Sequence, residues 1–409
     1  MSLNVATVWE VRTTGSQDNG GGFYDRVPGT SVDYSQQDAA QLSVADLATD
    51  ATGTGLSSAT GGFTAAMVGN IIHISGGTLT AGWYEITAYI DTNSVTIDRS
   101  AGSSKSGGSG KVGGAFLLGG ALDADFMAAV ASGNTVWVAS GSYTLGESVT
   151  GTSGGAAARI VFAGYNAARN DNPIGANRPI IDCAAYTFTT GDYWAIANIV
   201  FTGTAASVVI LGTYGHAINS KATNTSATAN RYAWRSSPDA ATFAKCEGVS
   251  TLGSAFSTSA NGSVLWCYAH DSDSGIDLAA GCKAIGCVAD TCITYGVRQT
   301  GNNSGVLNST IYNCGSGVSL GTYVGAIVVG NIVKDCTVGL VCASTRIDGN
   351  YVDYNCLDNT TNRSYVPAGA HDVEADPLLN DPANGDFSLA VGSPCFDAGA
   401  QLDSTVGLP

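Results

Sequence analysis

Charge is scarce in this sequence: Asp, Glu, Lys and Arg together make up 12% of 409 residues. The shortage is one-sided, with 17 Lys and Arg against 33 Asp and Glu and a formal net charge of −16. That balance argues against a nucleic-acid partner, because phosphates call for clustered Lys and Arg. Long apolar runs are missing too. No span of about 18 apolar residues is present to cross a membrane, and the opening Met1–Arg12 has neither the basic start nor the apolar core of a secretory signal. The chain is therefore expected to fold in a reducing cytosol and to reach the outside only if a virus particle carries it there. Glutamate is confined to Glu10, Glu85, Glu147, Glu247 and Glu374; a cleaving groove draws on more acid than that. Zinc spacings, phosphate-binding glycine loops and dinucleotide fingerprints are absent. Gly151-Thr152-Ser153-Gly154-Gly155 fits a nucleophile elbow by letter, yet no helical run follows it.

What is plentiful is glycine, 54 residues, together with Ser, Thr and Ala. Such a composition suits a chain that turns often and stacks closely, and the lack of a Gly-X-Y period excludes collagen. From Leu252 to Cys356 the chain repeats itself. Gly253, Gly275, Gly296, Gly317 and Gly339 stand 22, 21, 21 and 22 residues apart. After four of them comes an apolar branched residue, Ile276, Val297, Val318 or Leu340, then a position indifferent to polarity. In-out-in is a strand period, and a repeat of this length without helix predicts a parallel β-helix. The cysteines keep the same beat: Cys246, Cys267 and Cys287 in one file, Cys292, Cys314, Cys336 and Cys356 in another. Stacked about 4.8 Å apart, they are expected as free thiols packed inside the coil, with a disulfide ladder as the alternative. Eleven cysteines leave at least one without an intrachain partner.

Ahead of the repeat, the chain is organised differently. Trp9–Arg12 reads as a short strand, and Asp33–Asp38 as a polar cap or link. Alternating runs at Met67–Ile74, Trp83–Ile86 and Val95–Asp98, parted by turn residues, predict a small antiparallel β unit. The Gly/Ser/Lys stretch Ala101–Gly114 is expected to be a mobile linker. Leu118, Leu122, Phe126, Met127 and Val130 form one apolar stripe, predicting a helix over 116–131 that covers the open end of the coil. Asn224–Asn230 and Arg235–Asp239 are expected to leave the coil as loops.

The run Gly133-Asn134-Thr135-Val136-Trp137-Val138-Ala139-Ser140-Gly141-Ser142-Tyr143 resembles the opening rung of right-handed parallel β-helix proteins of the pectin-lyase-like group. Arg159–Tyr165 and Trp194–Phe201 are similar to that group's next rungs, and Asp376-Pro377-Leu378, Asn384–Phe387 and Gly392–Gly399 to a closing phrase. The resemblance implies an all-β fold, a right-handed single-stranded parallel β-helix with a small N-terminal β domain and a capping helix. The expected division is 1–115 for that domain, 116–356 for the helix with its cap, and 357–409 for a C-terminal cap. The group includes lyases, hydrolases, surface proteins and phage spikes, so the fold does not name the chemistry.

The densest acidic cluster is His270-Asp271-Ser272-Asp273-Ser274-Gly275-Ile276-Asp277. Asp271 and Asp273, about 6.6 Å apart on one side of a strand, are the candidate acid and base for cleaving a glycosidic bond. Asp271, Asp273 and Asp277 are the candidate Ca²⁺ ligands, though the rest of an EF-hand loop is missing. Against both stands ordinary turn chemistry, since Asp beside Gly is common at bends. Asp277 and Arg298 share a column on neighbouring rungs, as a lyase-like pair or as a surface salt bridge; Asn313 and Asp335 share another. The resemblance does not extend to the group's catalytic sets: paired Asp, Gly-His-Gly and Arg-x-Lys are absent, with Ala217 standing after Gly215-His216. The reading expected from sequence is a non-enzymatic phage virion surface protein, a head decoration or a spike. It would be a homotrimer contacting other virion proteins, with no nucleic acid, no membrane and no cofactor. A depolymerase acting on host-surface polysaccharide is the alternative.

Overall fold

The structure, a computed structural model, describes residues 3–343 and 349–398. Gly399 of the closing phrase and the remainder of the expected C-terminal cap lie outside the described residues. The chain forms two compact units, one ending at Phe201 and one beginning at Thr202. Each carries turns of a parallel β-solenoid, about ten in all.

In the first unit six antiparallel strands close into a barrel. Their order is Leu42–Thr49, Gly55–Ser57, Ser94–Ile97, Gly82–Asp91, Ile71–Ser75 and Gly108–Val112. Leu47, Ile72, Ile74, Ile86 and Val112 fill it, shielded from solvent. The mobile linker expected over Ala101–Gly114 is corrected here: Gly108–Val112 is the closing strand, paired with both Leu42–Thr49 and Ile71–Ser75. Its glycine answers to space. A Cβ on Gly110 would stand 2.5 Å from Leu47 Cδ1, so a composition that reads as a linker is the tight wall of a small barrel.

The barrel does not take in all of residues 1–115. Val8–Val11 runs parallel to Thr135–Ala139, which pairs in turn with Ile160–Tyr165 and that with Trp194–Ala197. The strand expected at Trp9 thus belongs to the coil. Buried Glu10 fastens it: Arg12 Nε lies 2.9 Å and Arg169 Nη2 2.6 Å from its carboxylate, and the Tyr165 hydroxyl donates to it. The helix expected over 116–131 is shorter, Asp123–Ala129. Gly119 and Gly120 interrupt the earlier part, their N–H groups donating to Asp123 Oδ1 at 2.9 and 3.2 Å. The apolar stripe still faces inward, with Phe126 stacked on Phe116 at 4.0 Å between centroids.

In the second unit each turn contributes three short strands, and like strands stack into three parallel sheets. The first runs from His216–Ile218 to Tyr351–Asp353, the second from Lys221–Asn224 to Cys356–Asp358, and the third from Ser207–Leu211 to Thr361–Ser364. The coil therefore passes the expected limit at 356. Arg235 is also inside it, on the strand Arg231–Ser236 rather than in a loop. Ile276, Val297, Val318 and Leu340 are in register, which stacks Gly275, Gly296, Gly317 and Gly339. A Cβ on Gly275 would lie 2.4 Å from the Gly296 carbonyl oxygen, and one on Gly317 2.5 Å from that of Gly339. Gly253 is out of this column. It faces Arg231, while Ser254 faces Ser274 and Phe256 faces Ile276, so Ala255 occupies the expected glycine position.

Most bends turn on a residue with positive φ. Between first and second sheets these are Asn219, Lys245, Trp266, Gly286, Asn308, Gly330 and Tyr354. The residue after each turns inside: Ser220, Cys246, Cys267, Cys287, Ser309, Asn331 and Asn355, none more than 2% exposed. Most of these side chains donate to the carbonyl two residues back, as Ser309 does to Leu307 at 3.0 Å and Cys267 to Leu265 at 3.4 Å, while Asn331 donates to the Val306 carbonyl at 2.9 Å. Several also accept the backbone N–H of the same bend one rung earlier: Cys267 Sγ from Cys246 at 3.4 Å, Ser309 Oγ from Cys287 at 3.1 Å, Asn331 Oδ1 from Ser309 at 3.0 Å. The file Cys246, Cys267 and Cys287 is thus a stretch of a longer ladder in which Cys, Ser and Asn interchange; in the other expected file Cys356 is out of place, since Asn359 follows Cys336 and Cys356 pairs with Ile332 at the start of a second-sheet strand. Nine cysteines are free and buried, and Cys356 is bonded to Cys395. Burial lifts the Cys287 thiol to about 11.

Two outcomes follow from this packing. Gly296→Ala places a Cβ 2.4 Å from Ile311 Cγ2 and is expected to cost about 1–3 kcal/mol in denaturant unfolding; an unchanged midpoint would contradict the close stacking. In a thiol titration the nine free cysteines should stay silent in the native protein and react together once it unfolds.

Candidate functional site

Asp271 and Asp273, expected on one side of a strand, lie instead in the bend between the strands Tyr268–His270 and Ser274–Leu278. The φ of 47° at Asp271 puts it in the same file as Thr291, Asn313 and Asp335, the positive-φ residues that join the second sheet to the third. Asp tolerates this conformation because its short polar side chain bonds locally. Ser272 follows it inward, donating to the His270 carbonyl at 2.8 Å and accepting the Ser250 N–H at 2.8 Å. Asp273 emerges on the far side of the bend and accepts the Thr294 hydroxyl at 2.6 Å. Asp277 lies farther along, on the third-sheet strand Ser274–Leu278. Its carboxylate accepts from Ser254 Oγ at 2.6 Å and from Arg298 Nε and Nη2 at 2.9 and 2.6 Å. With the Asp277 side chain only 7% exposed, this two-point pair is more than a solvent-screened bridge. It raises the affinity of Arg298 for its proton.

The three candidate calcium ligands therefore each serve a different partner. Among the described residues no group of three or more His, Cys, Asp or Glu is placed to hold a metal ion.

The structure gathers a different set on the outer face of the second sheet. Lys221, Glu247 and Tyr268 are in register in one column, and Val249, His270, Asp290 and Tyr312 in the next. Lys221 Nζ donates to Glu247 Oε1 at 2.6 Å, and His270 Nε2 lies 3.0 Å from the same oxygen. His270 Nδ1 reaches Asp271 Oδ2 at 2.7 Å, and the imidazole stacks on Tyr268 at 4.3 Å. The Tyr268 hydroxyl donates to Asp290 at 3.2 Å. Phe387, from the C-terminal strand Asp386–Leu389, rests against Tyr268 and Tyr312 with centroids 6.3 and 6.0 Å away and bounds this face.

The electrostatics follow from the contacts. Hydrogen bonding to His270, helped by Lys221, outweighs burial and holds Glu247 down to about 2. Burial opposes a charge on His270, but the hydrogen bonds to Glu247 and Asp271 prevail and raise its pKa above the ordinary value. Burial, then Asp290, makes the Tyr268 phenol harder to ionise. An acid that protonates a leaving group needs a raised pKa, and Glu247 has moved the other way. What the face offers is fixed charges, hydroxyls and stacked rings for a polar ligand.

Sequence reasoning reached His270, Asp271 and Asp273 but missed Lys221, Glu247 and Tyr268. Glu247 precedes the regular repeat, and Lys221 lies 26 residues ahead of it, off the 21-residue beat. A search for opposite charges one irregular turn apart would have found them.

The chain matches no protein-family profile and no curated protein. Among solved structures it is similar to the pectate lyase Pel9A, with 14% identity, a TM-score of 0.51, and coverage of 69% of this chain and 87% of that one. It also aligns with a PL6 family polysaccharide lyase from Pseudopedobacter saltans, at 10% identity, TM-score 0.37, and 67% and 96% coverage. A third alignment is to the tailspike protein gp49 of Pseudomonas phage LKA1, at 13% identity, TM-score 0.22, and 82% and 61% coverage. The Pel9A likeness carries the shared fold.

His270 is expected to titrate above the ordinary imidazole value of about 6.5 in a proton NMR titration, and to fall back toward it in Glu247→Gln. A folded-state pKa above the unfolded one means stability present below about 6.5 and lost as pH rises through the folded value. An imidazole titrating at or below the ordinary value would contradict the paired geometry.

Proposed function

We propose that this protein is directed at a polysaccharide, and that its glycan-facing surface is the outer face of the second sheet around Lys221, Glu247, Tyr268 and His270. One observation carries the reading: a chain of four charged groups and a stacked Tyr268–His270 pair are presented together on one face of the coil. Sugars offer hydroxyls to such charges and apolar ring faces to such aromatics. The fold shared with a pectate lyase is in keeping with a glycan ligand. In the depolymerising form of this reading Asp271, at the bend that borders the face, and Asp273, just beyond it, act as acid and base.

A second reading is favoured by a specific observation. The ionisable groups here are already paired, and Glu247 is held far below the range of an acid catalyst. This supports a protein that holds to a surface without cleaving it: a non-enzymatic virion surface protein, decorating a head or forming a spike, with other virion proteins and further copies of itself as partners.

The test uses the full chain and a panel of acidic and neutral polysaccharides, scoring retention and the release of reducing or unsaturated ends. Retention is expected for at least one glycan, weakened about tenfold or more in Tyr268→Ala, equivalent to about 1.4 kcal/mol. Products that disappear in Asp273→Asn establish the depolymerase, and retention without products establishes the passive form. Neither retention nor products anywhere on the panel would refute both.

A further inference from the structure

We propose that the C-terminal hairpin is a lid on the glycan-facing surface described above, with Phe387 standing where a ligand would meet Tyr268 and Tyr312; the lid rests on that reading of the second sheet. Leu379–Asp381 and Asp386–Leu389 pair antiparallel and form a two-stranded sheet of their own. An isolated hairpin is marginal in water, and none of residues 379–389 is buried. Its hold on the coil is at its base. The Val373 N–H donates to the Asn355 carbonyl and the Leu357 N–H to that of Val373, both at 2.8 Å. Lys334 Nζ lies 3.0 Å from Asp376, and Cys395 is bonded to Cys356. The Ser393 hydroxyl donates to the Pro377 carbonyl at 2.6 Å and closes the segment on itself. These anchors gather at the last two rungs of the second sheet. Phe387 reaches the other way. Tyr268 is four strands from Cys356, through Val288, Thr310 and Ile332, or about 19 Å at a strand spacing of about 4.8 Å. A segment pinned at one end can swing at the other without unwinding the coil.

The contact at the tip is of a kind that releases. Phe387 meets Tyr268 at 58° between ring planes and Tyr312 at 63°, tilted rather than stacked, whereas His270 lies nearly flat on Tyr268. Charge adds nothing to the seating. Residues 376–398 carry Asp376, Asp381, Asp386 and Asp397 and no Lys or Arg, and the face beneath presents the carboxylates of Glu247 and Asp290. Like charges oppose the closed position, which leaves the phenyl ring to hold it. Tyr268 and Tyr312 are two rungs apart, so a ring 6.3 and 6.0 Å from them stands between the two, at the rung of Asp290. A sugar ring needs an aromatic platform that is bare. Seating of Phe387 and binding of a glycan across these tyrosines therefore exclude one another, and the apparent affinity falls with the fraction of molecules that is open.

The test uses the full chain. In Phe387→Ala, hydroxyl-radical footprinting read by mass spectrometry, with no glycan present, should show Tyr268 and Tyr312 oxidised up to about tenfold faster, as for a lid open in about one molecule in ten. The same variant should be retained about tenfold more tightly by a glycan that holds the unaltered protein. Asp376→Asn, which removes one contact at the base, should move both readouts the same way and carries the test if the first variant fails to fold. Tyrosine oxidation that does not change, or retention that is unchanged or weakened where the unaltered protein is retained, would overturn the lid. Faster oxidation with neither protein retained by any glycan would uphold the hairpin as a cover and remove the glycan reading of the face.

Discussion

Everything in the coil depends on what happens to one backbone amide at each corner. Where the chain bends between sheets, its N–H leaves the regular ladder and enters the interior, where an unpartnered donor is costly. At several corners the protein meets this with a side chain from the next rung, itself anchored to a backbone carbonyl. Oxygen, sulfur and amide all serve, since each combines an acceptor with a donor in a small volume. That explains why cysteine is frequent without being bridged along the files, and why it gives way to Ser309, Asn331 and Asn355 along the same edge.

The same constraint separates scaffolding from surface. Bends select Asp, Asn and Gly, so acidic residues collect at corners for conformational reasons; Asp271 and Asp335 are there because the chain turns. Residues facing outward along the strands are under no such demand. There the molecule carries its Lys221–Glu247–His270 pairing, the Asp277–Arg298 clasp and the exposed indole of Trp266. Chemistry, if the protein performs any, has to be sought on those flanks.

Much of the coil was legible before the structure. A glycine every twenty-one or so residues, followed by a branched apolar side chain, places the third sheet in register from Gly275 to Gly339. What misled was composition standing in for geometry. Gly108–Val112 looks like a linker because a barrel this small needs bare backbone in its wall. The run from Phe116 looks helical throughout because Leu118 keeps the period, yet Gly119 and Gly120 turn their amides to Asp123. The candidate site was half visible: His270 and Asp271 adjoin in sequence, whereas Glu247 and Lys221 come to them only through turns of unequal length.

The capping of corner amides runs in one direction, each rung relying on its successor, and this gives the spring a far end unlike its near one. At Asn355 no further rung follows along that edge, and the amide is taken at 2.7 Å by Asp372, from a segment that has already left the winding. Arg363 holds Asp372 there from the last strand of the third sheet. Extra loops of winding can thus be inserted or lost in the middle without upsetting the pattern. Growth at the tail is barred by a carboxylate that acts as a full stop.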